Sequence, residues 1–92
     1  MTREFDNFDD LVGDMKEHIR KTPDSNIVEN DDVLGLKIKY EDQNTGDSWA
    51  ISTADFYKWT KTLQKGHGDL IRRAFQTSEG KKALLDIIKL AR

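Results

Sequence analysis

Two histidines are the residues of this chain best suited to move a proton or to hold a metal ion. His18 lies beside apolar residues in a segment with helical spacing, and His67 lies between two glycines in a turn segment. The chain has no cysteine, so it offers neither a thiolate nucleophile nor a cysteine-based zinc site. A single histidine on a helix is more often a boundary residue than a base or a ligand. The two histidines therefore predict no metal site, and we expect no cofactor.

The rest of the sequence contains no recognisable catalytic signature. It has no phosphate-binding glycine loop, nucleophile elbow or HExxH motif. The segment that starts at Asp42 begins like a calcium-binding loop, but Gly46 occupies the third ligand position and Thr53 stands where glutamate is required. We therefore expect a binding protein and not an enzyme.

Charge is divided unevenly along the chain. Residues 1–57 carry fourteen acidic and six basic side chains, whereas residues 58–92 carry three acidic and nine basic ones. The net charge of −2 hides this split. Such an asymmetry is typical of a binding surface, or of two oppositely charged faces that attract each other within one fold.

Acidic residues of the first predicted helix form one candidate binding surface. They fall outside the apolar stripe of that helix, so we expect them to be exposed. A negative surface of this kind can dock on a cationic protein, or compete with nucleic acid for a basic groove on a partner. The candidate protein-binding residues are Asp9, Asp10, Asp14 and Glu17.

Basic residues near the C-terminus form the alternative surface. A row of cations can follow the phosphates of nucleic acid through contacts that do not depend on base sequence. The sequence pI of about 5.6 opposes long-range attraction to a polyanion, so we rank this hypothesis second. The candidate nucleic-acid-binding residues are Lys58, Lys61, Lys65, Arg72, Arg73, Lys81 and Lys82.

The spacing of apolar residues predicts a helix followed by strands. Apolar side chains recur with helical period from Phe8 to Ile19, and Pro23 ends that helix. Alternation over residues 33–40 and 49–51, separated by turn residues, then predicts an antiparallel hairpin. Ile27 and Val28 add a short third strand, because two strands alone are marginally stable in water.

Three helices follow the predicted hairpin. Ser52 caps the second helix, Asp69 caps a short third helix that turns Leu70 inward, and the fourth begins near Glu79. The predicted fold is a single α+β domain over residues 1–92. It consists of an N-terminal helix, an antiparallel β-hairpin or three-stranded meander, and three C-terminal helices.

The last helix is apolar over an arc of roughly 200°, about twice the stripe of a one-sided surface helix. The apolar side chains on both flanks of this arc must be buried against other residues. The rest of the chain can supply them, and so can a second copy of the chain in a homodimer. The candidate dimer residues are Leu85 and Leu90.

Two functional hypotheses remain after these exclusions. The favoured one is a regulator or inhibitor that binds a protein with a basic surface, as small proteins encoded by phages and other mobile elements often do. The alternative is a nucleic-acid-binding accessory protein. No segment approaches the roughly 20 apolar residues of a membrane span, and no apolar signal region follows Met1. We therefore expect no membrane partner and a cytoplasmic location.

Overall fold

The computed structural model describes residues 2–31, 35–64 and 66–89. Within these residues the chain forms four helices and one four-stranded mixed sheet, which confirms the α+β class. In chain order the elements are β1 (Thr2–Phe5), α1 (Phe8–Lys21), β2 (Ile27–Asp31), β3 (Lys37–Asp42), β4 (Ser48–Ser52), α2 (Thr53–Thr60), α3 (His67–Ala74) and α4 (Ser78–Lys89).

The sheet is mixed because a strand that precedes α1 joins it. The strand order is β1-β4-β3-β2, and the three later strands pair antiparallel with their neighbours. Strand β1 runs parallel to β4, with Thr2 opposite Ser48 and Phe5 opposite Ile51. The prediction of an N-terminal helix followed by an antiparallel hairpin or meander is therefore wrong, since it lacks β1 and the parallel pairing.

The main apolar core lies between the sheet and the helices. The predicted stripe of α1 is confirmed, since Phe8, Leu11, Met15 and Ile19 are all buried. They pack with side chains from one face of β3 and β4, where Trp49 is fully buried. Helix α1 is thus held on the sheet by its apolar stripe, and its polar flanks are left beside β1 and the β3–β4 turn.

The boundaries of α2 and α3 differ from those predicted. The hydroxyl of Ser52 caps α2 as expected, since it accepts the amide of Asp55 at 3.0 Å. Helix α3 begins at His67, with Gly66 at the N-cap, so the predicted cap at Asp69 is wrong. The helix that starts there turns Ile71 and Phe75 toward the core. Leu70 points away from the core and is 63% exposed instead of buried.

Helix α4 occupies a central place in the molecule. It packs against α1, α3 and β2, and Leu85 and Ile88 are buried in the core. Its wide apolar arc is therefore covered at least in part by the chain itself. None of the helices within the described residues is long and apolar enough to cross a membrane.

Candidate functional site

Two of the predicted protein-binding acids lie in the first turn of α1. The side-chain oxygen of Asn7 accepts the amides of Asp9 at 2.8 Å and Asp10 at 3.3 Å, and so caps the helix. The side chains of Asp9 and Asp10 are exposed, and they form no ion pair within the described part of the chain. Both carboxylates are therefore available to a partner.

The other two acids of α1 have neighbours. One oxygen of Asp14 accepts the indole N–H of Trp49 at 2.6 Å and a guanidinium N–H of Arg3 at 3.3 Å. Asp14 is half-buried, so the expectation of full exposure does not hold for it. Glu17 is exposed and pairs at 2.9 Å with Lys21, whose hydrogen bond and charge lower the pKa of Glu17.

A fully buried carboxylate, that of Asp42 on β3, lies beneath α1. One of its oxygens accepts the Nε2–H of His18 at 2.7 Å, and the other accepts the amides of Asn26 at 3.1 Å, Asn44 at 2.9 Å and Thr45 at 3.4 Å. Burial alone would raise the pKa of Asp42, but these hydrogen bonds outweigh it and lower that pKa to about 2. Asp42 thus ties α1, the start of β2 and the β3–β4 turn together.

His18 is fixed by this carboxylate. Because ionised Asp42 can only accept, the proton of the neutral imidazole lies on Nε2, and Nδ1 is left as an acceptor. The ring packs edge-on against Trp49 with centroids 4.9 Å apart, and the side chain is 11% exposed. Nδ1 lies 3.8 Å from an oxygen of Asp47, which is too long for a hydrogen bond.

His18 belongs to the lining of an open cleft of about 380 Å³ between α1 and the β3–β4 turn, here called the His18 cleft. Besides His18 it contains three carboxylates, two cationic side chains and two hydroxyls. Across residues 2–31, 35–64 and 66–89, no three acidic or histidine side chains are grouped so as to hold a metal ion. The lining residues are Arg3, Asp14, Glu17, His18, Lys21, Thr22, Thr45 and Asp47.

The predicted site residues do not include this cleft, although the sequence carries one signal for it. Ile38, Tyr40 and Asp42 alternate along β3 and share the face that packs on the helices. A charged residue that continues an inward-facing alternation needs buried partners, and a histidine is a suitable one. The local sequence pattern instead places Asp42 at the start of a segment that resembles a calcium-binding loop and predicts His18 as a boundary residue.

The structure does not collect the predicted basic residues in a single groove. Lys58 shares a cleft with Asp6 and Asp55, whereas Lys61 and Arg72 line another cleft, between α2 and α3. Arg72 also donates to the hydroxyl of Thr60 at 2.9 Å and forms an ion pair with Asp69. Lys65 lies outside the described residues.

The remaining basic candidates lie on α3 and α4. Lys81 is half-buried and lies 3.5 Å from a carboxylate oxygen of Glu29 on β2. Arg73 and Lys82 are exposed. Thus Arg72 and Lys81 are engaged within the fold, while Lys58, Lys61, Arg73 and Lys82 face solvent.

Ion pairs reveal how the two halves of the charge split relate to each other. Lys81–Glu29 joins the basic half to the acidic half. Among the residues that the structure describes, Asp14 and Glu17 pair within residues 1–57 and Asp9 and Asp10 form no ion pair, so the described parts of the C-terminal helices do not neutralise the acids of α1. The other pairs among the described residues include Lys37–Glu4 at 2.9 Å in the first half and Arg72–Asp69 in the second.

Of the two predicted dimer residues, Leu85 is 4% exposed and lies in the core of the single chain. It has almost no surface left for a second copy. Leu90 lies outside the described residues.

The candidate site is thus an acidic surface with two parts: the first turn of α1, where Asp9 and Asp10 form no ion pair within the described residues, and the His18 cleft. The cleft combines an imidazole nitrogen that can accept a hydrogen bond with three carboxylates whose charge is only partly neutralised by Arg3 and Lys21. Comparisons of this chain with protein-family models, with curated proteins and with solved structures found no significant match.

Proposed function

We propose that this protein is a regulator or inhibitor that acts by binding a basic partner protein through the acidic surface of α1 and the His18 cleft. The observation that supports this proposal is the state of the α1 acids. Within residues 2–31, 35–64 and 66–89, Asp9 and Asp10 are exposed without ion pairs, and the acids of α1 form no ion pair with the basic half of the chain. Their negative field is directed outward.

Such acids contribute little to folding. Exposed charges usually change stability by no more than about 0.5 kcal/mol, and an acid in the first turn of a helix, such as Asp9 or Asp10, by about 0.3–1 kcal/mol through the helix dipole. The same charges can raise the association rate with an oppositely charged protein by one or more orders of magnitude, because they steer the encounter. Their arrangement is therefore better suited to recognition than to stability.

The test is affinity capture from a lysate of the native host, with and without nuclease treatment. We expect the wild-type chain to retain a basic protein, and the variant Asp9→Asn/Asp10→Asn to retain at least threefold less of it. The matched control is Glu79→Gln/Asp86→Asn, which removes two exposed acids from α4 and changes the net charge equally. This control should capture as the wild type does.

Two results would count against the proposal. Equal loss in both variants would mean that net charge alone governs capture. Capture that disappears on nuclease treatment would favour the nucleic-acid hypothesis instead. Purification of the retained protein and measurement of its association rate at several salt concentrations complete the test, since steering must weaken as salt rises.

A further inference from the structure

We infer that the His18 cleft receives an arginine side chain of the basic partner. This inference rests on the proposed function and names the group that the acidic surface recognises. It follows from the hydrogen-bonding character of the cleft, from its charge, and from the way the chain already binds one of its own arginines.

The cleft presents acceptors that lack donors. When the Nε2–H of the neutral ring donates to Asp42, Nδ1 of His18 is an acceptor, and it has no hydrogen-bond donor within the described residues. Asp47, next to it, accepts the hydroxyl of Thr45 at 3.1 Å and has further lone pairs free. A ligand that fits this wall must carry several N–H or O–H donors.

The negative charge of the cleft favours a cationic ligand. Asp14, Glu17 and Asp47 line the cleft against two cationic side chains, and the buried carboxylate of Asp42 lies behind the imidazole. With Asp42 counted, four carboxylates stand against two cationic side chains and one imidazole, so the sum of the formal charges is negative. A positively charged donor group therefore gains both hydrogen bonds and Coulomb attraction there.

Arg3 demonstrates that these side chains bind a guanidinium. Its guanidinium donates to Asp14 at 3.3 Å and lies 5.8 Å from the ring centroid of Trp49. Trp49 in turn donates to the same carboxylate and packs against His18. A second guanidinium, between His18 and Asp47, would likewise meet a carboxylate beside an aromatic ring.

Arginine suits this wall better than lysine for a geometric reason. A guanidinium has five N–H donors in a flat fork, so it can reach Nδ1 of His18 and a carboxylate at the same time. The separation of 3.8 Å between Nδ1 and the oxygen of Asp47 leaves these acceptors close enough for one planar group. An ammonium is a point charge with no such preferred plane.

The experiment titrates the ¹⁵N-labelled protein at pH 7.5 with a peptide that contains four arginines, and with lysine and glutamine versions of it. We expect the amide signals of Thr22, Thr45 and Asp47 and the indole signal of Trp49 to shift with the arginine peptide. The lysine peptide should bind at least threefold more weakly, and the glutamine peptide should produce no shifts.

Two variants with equal net charge locate the binding. Glu17→Gln/Asp47→Asn removes two carboxylates from the cleft and should weaken the arginine peptide about tenfold, as expected for the loss of charge-assisted hydrogen bonds. Glu79→Gln/Asp86→Asn removes two exposed charges from α4, outside the proposed surface, and should weaken it less than threefold. Amide signals distant from the substitutions verify that both variants are folded.

The outcomes separate this inference from the proposed function. Equal weakening by both variants, shifts confined to the first turn of α1, or no binding of the arginine peptide would each overturn the arginine site. The capture experiment would still decide whether the protein binds a basic partner. Equal affinity for the arginine and lysine peptides would also overturn the arginine site, since the planar geometry of the guanidinium would then play no part.

Discussion

At the scale of single residues, Asp42 illustrates how a buried charge stabilises a fold. Its carboxylate is fully buried, yet its pKa is lowered to about 2 from an ordinary value of 3.8, because four hydrogen bonds favour the charged form. A carboxyl whose pKa is depressed by folding stabilises the native state above its unfolded pKa. That stabilisation is lost as the pH falls from about 4 through about 2.

Replacement of Asp42 by asparagine tests this directly. Asp42→Asn removes the charge and places an amide NH₂ among N–H donors, so we expect the free energy of unfolding at pH 7 to fall by about 2 kcal/mol. Urea unfolding monitored by circular dichroism at pH 7 and pH 2.5 provides the measurement. The difference between wild type and variant should shrink at pH 2.5, and a difference that stays constant would contradict the assignment.

A control for this prediction lies on α1. Asp10→Asn changes an exposed carboxylate that has no ion pair within the described residues, and it should alter the unfolding free energy by no more than about 1 kcal/mol. A loss as large as that of Asp42→Asn would mean that the exposed acids of α1 also support the fold.

At the scale of elements, a glycine determines how closely α3 approaches α2. A Cβ atom built on Gly68 would overlap the backbone carbonyl of Thr60, and Gly80 meets the carbonyl of Ala74 in the same way. Backbone atoms cannot yield as a flexible side chain can. The turn between α2 and α3 and the turn between α3 and α4 therefore both depend on the absence of a side chain.

Gly68→Ala should destabilise the protein by about 1–3 kcal/mol, because α3 must move away from Thr60. Gly13 is the matched control, since it lies on an exposed position of α1 with no atom within 4 Å of an added Cβ. Gly13→Ala should stabilise the protein by about 0.5–1 kcal/mol through helix propensity. Thermal unfolding of both variants measures the two effects, and equal melting temperatures would refute the close packing.

The same scale explains which elements could be predicted from the sequence. Helix α1 was predictable because its stripe repeats over four turns and Pro23 follows it. Strand β1 was not, because Phe5 is its one apolar side chain and its pairing depends on β4, far along the chain. The exposed Leu70 was misplaced since α3 starts two residues before the predicted cap. Periodicity is a local signal and says little about pairing at a distance.

The candidate site was predictable only in part. The exposed acids Asp9 and Asp10 follow from the stripe of α1, since they fall off its apolar face. The His18 cleft does not, because Asp42 and Asp47 reach His18 through the register of β3 and β4 and the path of the turn between them. A residue pattern within one helix could not reveal partners supplied by another element.

At the scale of the whole molecule, the basic half offers nucleic acid a divided surface. Arg72 and Lys81 are engaged within the fold, and the exposed cations lie on different clefts and helices. We expect duplex DNA to bind with a dissociation constant no tighter than about 10⁻⁴ M at physiological salt. Fluorescence anisotropy with a labelled duplex measures this.

Tighter, steeply salt-dependent binding of DNA would support the nucleic-acid hypothesis instead. Arg73→Glu/Lys82→Glu should then weaken it for all DNA sequences alike, because contacts with phosphates carry no base information. Glu79→Gln/Asp86→Asn leaves these cations in place and should bind at least as well as the wild type.

The pairing of β1 with β4 also affects how the protein folds during its synthesis. The hydroxyl of Thr2 contacts that of Ser48, which lies 46 positions later in the chain, at 2.7 Å. Strand β1 and the apolar stripe of α1 therefore leave the ribosome well before the strand that completes their packing. Contacts between distant positions form slowly, and until then the stripe remains exposed to water and to chaperones. The neighbouring strands β3 and β4 can pair locally first, so β1, although it is synthesised before them, is among the last strands to find its place.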